Sequence, residues 1–130
     1  MSHFTKVKTK IFDKGVLEQA LKDLNYQISP VNVVHGFGDA KSADFVINLN
    51  KSSKSEIGFT KNKDGSYDMI ADWWGVNLTT GKHQDDVVNQ ITQRYAYQKV
   101  LVEVKKRGFV IAEEKVQGDN SIKLIVRKWQ

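Results

Sequence analysis

Residues 56–62 and 67–73 flank Lys63-Asp64-Gly65-Ser66 and constrain the fold more than any other stretch, because two β-prone runs joined through Asp-Gly read as an antiparallel hairpin. A two-residue Asp64-Gly65 turn predicts a register with Lys61 facing Asp68, Phe59 facing Ile70 and Ile57 facing Asp72 on one side. The other side then carries Asn62 with Tyr67, Thr60 with Met69, Gly58 with Ala71 and Glu56 with Trp73. Large apolar groups fall on both sides. The hairpin therefore predicts a sheet covered on both faces, one by helix and the other by sheet, helix or a partner.

The second strand runs into Ala71-Asp72-Trp73-Trp74-Gly75-Val76, which sets two of the three tryptophans beside a carboxylate. Indoles are costly to expose and Asp is costly to bury, so this run is either a keystone of the core or a recognition surface. Strand alternation sends Trp73 and Trp74 to opposite faces, which disfavours a single stacking platform. Asp72 reads most simply as a structural acceptor for an indole or backbone N–H, with a general acid or ligand hook in an aromatic pocket as the alternative. Asp68 is expected to pair with Lys61 at the surface. Tyr67, Asp72, Trp73 and Trp74 are the candidate partner- or ligand-binding residues.

The remainder of the chain supplies layers for such a sheet. Residues 3–12 alternate, with Thr5, Val7, Thr9 and Ile11 on one side and Phe4, Lys6, Lys8 and Lys10 on the other. Asp13 is placed to cap a short helix over residues 14–24, in which Val16, Leu17, Ala20, Leu21 and Leu24 recur at helical spacing. Pro30 separates two β-prone runs and marks an edge strand or bulge. Gly36-Phe37-Gly38-Asp39 is a turn, residues 44–49 a strand, and residues 51–55 a polar loop. Thr79-Thr80-Gly81-Lys82 reads as a loop before a long helix that opens on Asp85-Asp86 and stops at Gly108, with a break allowed in its β-prone stretch 95–104. Phe109–Val116 and Ser121–Trp129 flank Gly118-Asp119-Asn120 as a second hairpin.

Composition narrows the chemistry. The 130 residues suit one domain spanning the whole chain, and the absence of cysteine excludes disulfides and thiolate catalysis. No apolar run approaches the ~20 residues of a membrane span, and the N-terminus lacks the apolar core of a signal peptide. Net charge is +5, yet residues 1–65 carry ten basic and seven acidic groups and residues 66–130 carry ten and eight, so neither half is a basic arm. Lys6, Lys8 and Lys10 could form an anion-facing stripe, but they read more simply as a solvated face, and nucleic acid is disfavoured. His3, His35 and His83 show no metal-ligand spacing, Gly36-Phe37-Gly38 and Gly81-Lys82 lack the remaining glycines of phosphate loops, and no serine stands in a nucleophile elbow. No metal or cofactor is expected.

The segments Ser2-His3-Phe4-Thr5-Lys6-Val7, Ala43-Asp44-Phe45-Val46-Ile47, Glu56-Ile57-Gly58-Phe59, Ala71-Asp72-Trp73-Trp74-Gly75-Val76, Gln93-Arg94-Tyr95-Ala96-Tyr97 and Lys106-Arg107-Gly108-Phe109 occur in this order along nearly the whole chain. Together they resemble a hypothetical chloroplast reading-frame family of cyanobacteria and algal plastids, a domain of unknown function. The resemblance implies cytoplasm or plastid stroma as the compartment and supplies no catalytic residues to carry over.

The sequence thus predicts an α+β fold: a largely antiparallel sheet of six or seven strands with one short and one long helix packed on it. The favoured function is a small, soluble, non-enzymatic accessory protein binding a protein partner through Trp73, Trp74 and the segment 77–82. The alternatives are a small-molecule binder or enzyme built on Asp72, and a weak single-stranded nucleic-acid binder using the lysine stripe. Oligomeric state is left open.

Overall fold

The computed structural model describes residues 4–52, 54–119 and 121–128, so His3, Ser53, Asn120 and Trp129 of the predicted elements lie outside the described residues. In chain order the elements are β1 (Phe4–Lys8), α1 (Lys14–Asp23), β2 (Ile28–Ser29), β3 (Val33–His35), β4 (Ala40–Ser42), β5 (Phe45–Asn48), β6 (Glu56–Lys61), β7 (Tyr67–Asp72), α2 (Trp73–Thr80), α3 (Gln84–Lys106), β8 (Phe109–Val116) and β9 (Ile122–Lys128). The fold is α+β and every strand pair is antiparallel. Strands β1-β7-β6-β5-β2 form a five-stranded sheet, while β3-β4 and β8-β9 form separate two-stranded ribbons instead of extending it. Pro30 directly follows β2, which lies at the sheet edge where a missing N–H costs least.

The helices begin and end where side-chain chemistry directs. The Asp13 carboxylate accepts the Val16 N–H at 3.1 Å, opening α1, whose Val16, Leu17, Ala20 and Leu21 are buried in the main core. Asp85 and Asp86 favour the start of α3 and Lys105 and Lys106 its end, where Gly108 adopts φ 79°. The helix continues without a break through residues 95–104, because Tyr95 and Val102 pack into the core and that packing overrides local β propensity.

The first hairpin forms, but its register is shifted by one residue from the one the Asp-Gly turn predicts. Asn62 donates its N–H to the Ser66 carbonyl at 2.7 Å, Gly65 donates to the Asn62 carbonyl at 3.0 Å, and Gly65 sits at φ 93°. The connection is therefore the three-residue loop Lys63-Asp64-Gly65 with a left-handed glycine. The Asp64 carboxylate fastens it by accepting the Ser66 hydroxyl and N–H at 2.6 and 2.9 Å, bonds that hold this carboxyl below its ordinary pKa.

Lys61 now faces Tyr67, Thr60 faces Asp68, Phe59 faces Met69 and Gly58 faces Ile70. Ile57, Phe59, Tyr67, Met69 and Ala71 join the core beneath the helices, whereas Ile70 joins Val34, Ala43 and Val46 in a second cluster beneath β3-β4, with Phe4 at its margin. Asp68 is buried and accepts the Asn62 amide at 2.8 Å instead of pairing with Lys61 at the surface. Gly58 permits the second layer to approach: a Cβ there would lie 2.8 Å from the Ala43 Cβ.

Asp23 at the end of α1 clamps α3. It accepts from Arg94 Nε at 2.9 Å, from Gln19 at 3.0 Å and from the Gln98 amide. Partial burial pushes its pKa up, but the bonds from Gln19, Arg94 and Gln98 outweigh burial and hold it below the ordinary aspartate value. A depressed carboxyl contributes stability above its unfolded pKa of about 4 and loses it as pH falls through the lower folded value. Urea unfolding should accordingly show Asp23→Asn less stable than the native chain by about 1 kcal/mol near neutral pH, with the two converging at about pH 2.

Candidate functional site

At the end of β7 the backbone turns from strand to helix, and Asp72 directs the change. Its Oδ1 accepts the Gly75 N–H at 3.1 Å as the N-cap of α2. The hydroxyls of Thr79 and Thr80 bond back to carbonyls of the preceding turn, and Gly81 at φ 75° ends the helix by donating to the Asn77 carbonyl at 2.8 Å. The residues predicted as strand end and loop are therefore helical from Trp73 to Thr80. Sequence reasoning followed the β-propensity of the hairpin through Trp73 and passed over Asp72 as a cap.

Helical geometry then separates the two indoles, since successive residues on a helix point about 100° apart. Trp73 turns inward, 7% exposed, and donates its indole N–H to the Thr5 carbonyl at 3.2 Å. Trp74 turns outward and is 51% exposed. Its ring packs on Phe37, centroids 4.9 Å apart and tilted by 59°, while Lys54 Nζ stands 4.5 Å from the Phe37 centroid on the Phe37 ring. Leu78, one turn beyond Trp74 on the same face of α2, is 58% exposed.

Asp72 also fixes the other half of this patch. It is 1% exposed, and its Oδ2 accepts the Phe37 N–H at 2.9 Å, so a single carboxylate ties the β3-β4 turn to the start of α2. Two glycines make the approach possible. A Cβ on Gly36 would lie 2.7 Å from the Asp72 Cβ and 2.9 Å from the Phe4 ring, and one on Gly75 would lie 3.0 Å from the Lys54 carbonyl. The Phe37, Trp74 and Leu78 surface is therefore held in one geometry by buried polar bonds.

The remaining candidates lie elsewhere. Tyr67 begins β7, buried on the helix-covered face with its ring edge toward Phe45 at 6.0 Å, whereas Asp72 ends the strand and belongs to the opposite side. Burial is the main reason that the Tyr67 phenol sits above its ordinary pKa, with Asp44 and Glu18 adding to the effect. Lys6, Lys8 and Lys10 are exposed on or just after edge strand β1. His35 donates its backbone N–H to Glu56 at 2.8 Å and brings its ring Nδ1 to 3.0 Å from the same oxygen, a contact between strands that sequence spacing does not reveal. Among the described residues no group of three or more His, Cys, Asp or Glu side chains is arranged to hold a metal.

Phe37 and Lys54 belong to the patch and were missed in the sequence, whereas Leu78 lies within the segment 77–82 that the sequence reading included. Its pairing with Trp74 was within reach as well, because reading Asp72 as an N-cap places Trp74 and Leu78 at i,i+4 on one helix face. Phe37 and Lys54 come from distant loops, and no local signal brings them together.

Helices and a β-ribbon covering opposite faces of an antiparallel sheet, with an aromatic junction turned outward, define the chain as a small layered α+β protein. Comparison with known sequences sharpens this class. The chain belongs to the family described as "Protein of unknown function (DUF1257)", whose model matches residues 20–125. It is 35% identical to the uncharacterized protein ycf35 of Pyropia yezoensis, covering 99% of this chain and 98% of the relative. It is 34% identical to the ycf35 proteins of Cyanophora paradoxa and Guillardia theta, covering 100% of this chain and 99% of each relative. The resemblance to hypothetical chloroplast reading frames thus holds across the whole chain. No solved structure matches it. No helix among the described residues is long and apolar enough to cross a membrane.

Proposed function

We propose that this protein is a non-enzymatic accessory protein of a plastid or cyanobacterial cytoplasm that binds another protein through the Phe37, Trp74 and Leu78 face of α2. One observation carries the reading: a half-exposed tryptophan packs on Phe37, which a buried carboxylate and a cation hold in place, beside an exposed leucine one turn away. Tryptophan anchors of this kind dominate protein interfaces, and a preorganised anchor loses little conformational entropy on binding. A fitting partner offers an apolar pocket for Trp74 with a carboxylate at its rim for Lys54. Both oxygens of Asp72 are engaged by backbone N–H groups, so in this reading Asp72 shapes the surface and does not itself contact the partner.

Affinity capture from extracts of the native cell tests the proposal. The intact chain and a Lys6→Glu/Lys8→Glu control should retain the same specific partner, while Trp74→Ala and Leu78→Glu should each lose it. Because both side chains are half-exposed, each of these substitutions should lower stability by no more than about 1 kcal/mol, read from urea unfolding. Retention of the partner by both folded variants would remove α2 as the contact surface.

A further inference from the structure

A second surface stands apart from α2 and has a different character. Ala96, Val100 and Val104 recur at i,i+4,i+8 along one face of α3 and floor an apolar groove of about 1000 Å³. Ile11 walls it on the β1 side, and Phe109 and Val126 close it at the base of the β8-β9 ribbon. Val100, in the middle of the floor, remains 43% exposed although it sits in a concave setting. Burying it is favourable, so the groove as it stands leaves binding energy unused.

The rim has one predominant sign. Lys8, Lys10, Lys99 and Arg107 border the groove against a single carboxylate, Glu103. Lys99 is engaged by Asp13 at 3.6 Å, whereas among the described residues Lys8, Lys10 and Arg107 form no ion pair, although Lys8 faces Asp68 in the sheet register and Glu103 stands one helical turn before Arg107. A net positive rim therefore borders an apolar trough, with Lys10 and Arg107 among its cations that lack an ion pair. The apolar floor lies between the end of β1 and the ribbon, and from Thr92 to Val104 it extends about 18 Å at 1.5 Å per residue. A trough of that length accommodates an extended apolar tail, and its cationic rim complements an anionic head.

We propose that this groove binds an amphipathic anion, an extended apolar tail lying along Ala96, Val100 and Val104 with its anionic head between Lys10 and Arg107. This site is independent of the α2 surface.

Calorimetric titration of the full chain with dodecanoate, below the concentration at which it aggregates, tests the assignment. Saturable one-to-one binding is expected, with dodecyltrimethylammonium weaker by at least about tenfold. Val100→Glu, at an exposed position, should weaken dodecanoate by about tenfold or more, and Lys10→Gln/Arg107→Gln should weaken it and abolish the preference for the anion. Circular dichroism establishes that each variant is folded, and the rim double variant stands alone if Val100→Glu does not fold. Absence of saturable binding, equal affinity for the cationic tail, or binding indifferent to both sets of substitutions would overturn the proposal. So would Val100-dependent binding of an acidic amphipathic helical peptide without binding of dodecanoate, which would make the groove a protein site.

Discussion

Asp72→Ala is expected to lower the unfolding free energy by about 3 kcal/mol, combining loss of an N-cap with loss of a second charge-assisted bond to a buried backbone N–H. The alanine would leave the Gly75 and Phe37 N–H groups without their acceptor in a site where Asp72 is 1% exposed and the neighbouring glycines leave little room for water. Asp72→Asn keeps one carbonyl oxygen and nearly the same volume, so it should recover part of the loss. Denaturant unfolding followed by circular dichroism gives both numbers. A cost for Asp72→Ala below about 1 kcal/mol, the range of ordinary surface changes, would show that the two bonds are not holding the junction. The folded fraction of Asp72→Ala should also capture less partner than the native chain, because Phe37 is no longer held against Trp74.

How far the sequence could be read depended on whether the determining interactions were local. Asp13 with its apolar i,i+3,i+4 pattern, and Asp85-Asp86 with the Gly108 stop, delimit α1 and α3 because capping and dipole effects act within one turn. The α+β class and the two-sided sheet were legible for the same reason, since both rest on the periodicity of neighbouring residues.

The register of the first hairpin was not legible, because Asp64 could serve either as a turn corner in a two-residue loop or as an acceptor for Ser66 in a three-residue one. That one-residue difference decides which side of the sheet Ile70 and Met69 occupy. Helix α2 escaped because the β-propensity of the hairpin was followed through Trp73, although Asp72 caps the helix within one turn; only its second bond, to Phe37 35 residues away, lies beyond local reading. The resemblance across the chain identified the family, but a family without an assigned function carries no site, so the Phe37 and Trp74 pairing and the groove along α3 emerge only from tertiary structure.

The two adjacent tryptophans supply the sharpest contrast. Trp73→Ala is expected to cost about 4 kcal/mol, since a nearly buried indole is removed from the core and a cavity is left beneath the sheet. The equivalent change at Trp74, half-exposed, should cost no more than about 1 kcal/mol. Trp73→Phe separates packing from hydrogen bonding: it retains most of the apolar volume and leaves the Thr5 carbonyl without the indole N–H, so a loss of about 1 kcal/mol is expected. Thr5 lies on edge strand β1, whose one sheet neighbour among the described residues is β7, so the indole bond is a second tie on a strand bound along one side. Amide exchange in Trp73→Phe should therefore accelerate in β1 more than in β5 or β6. Uniform acceleration across the sheet would instead assign Trp73 to global stability alone, with no particular part in holding β1.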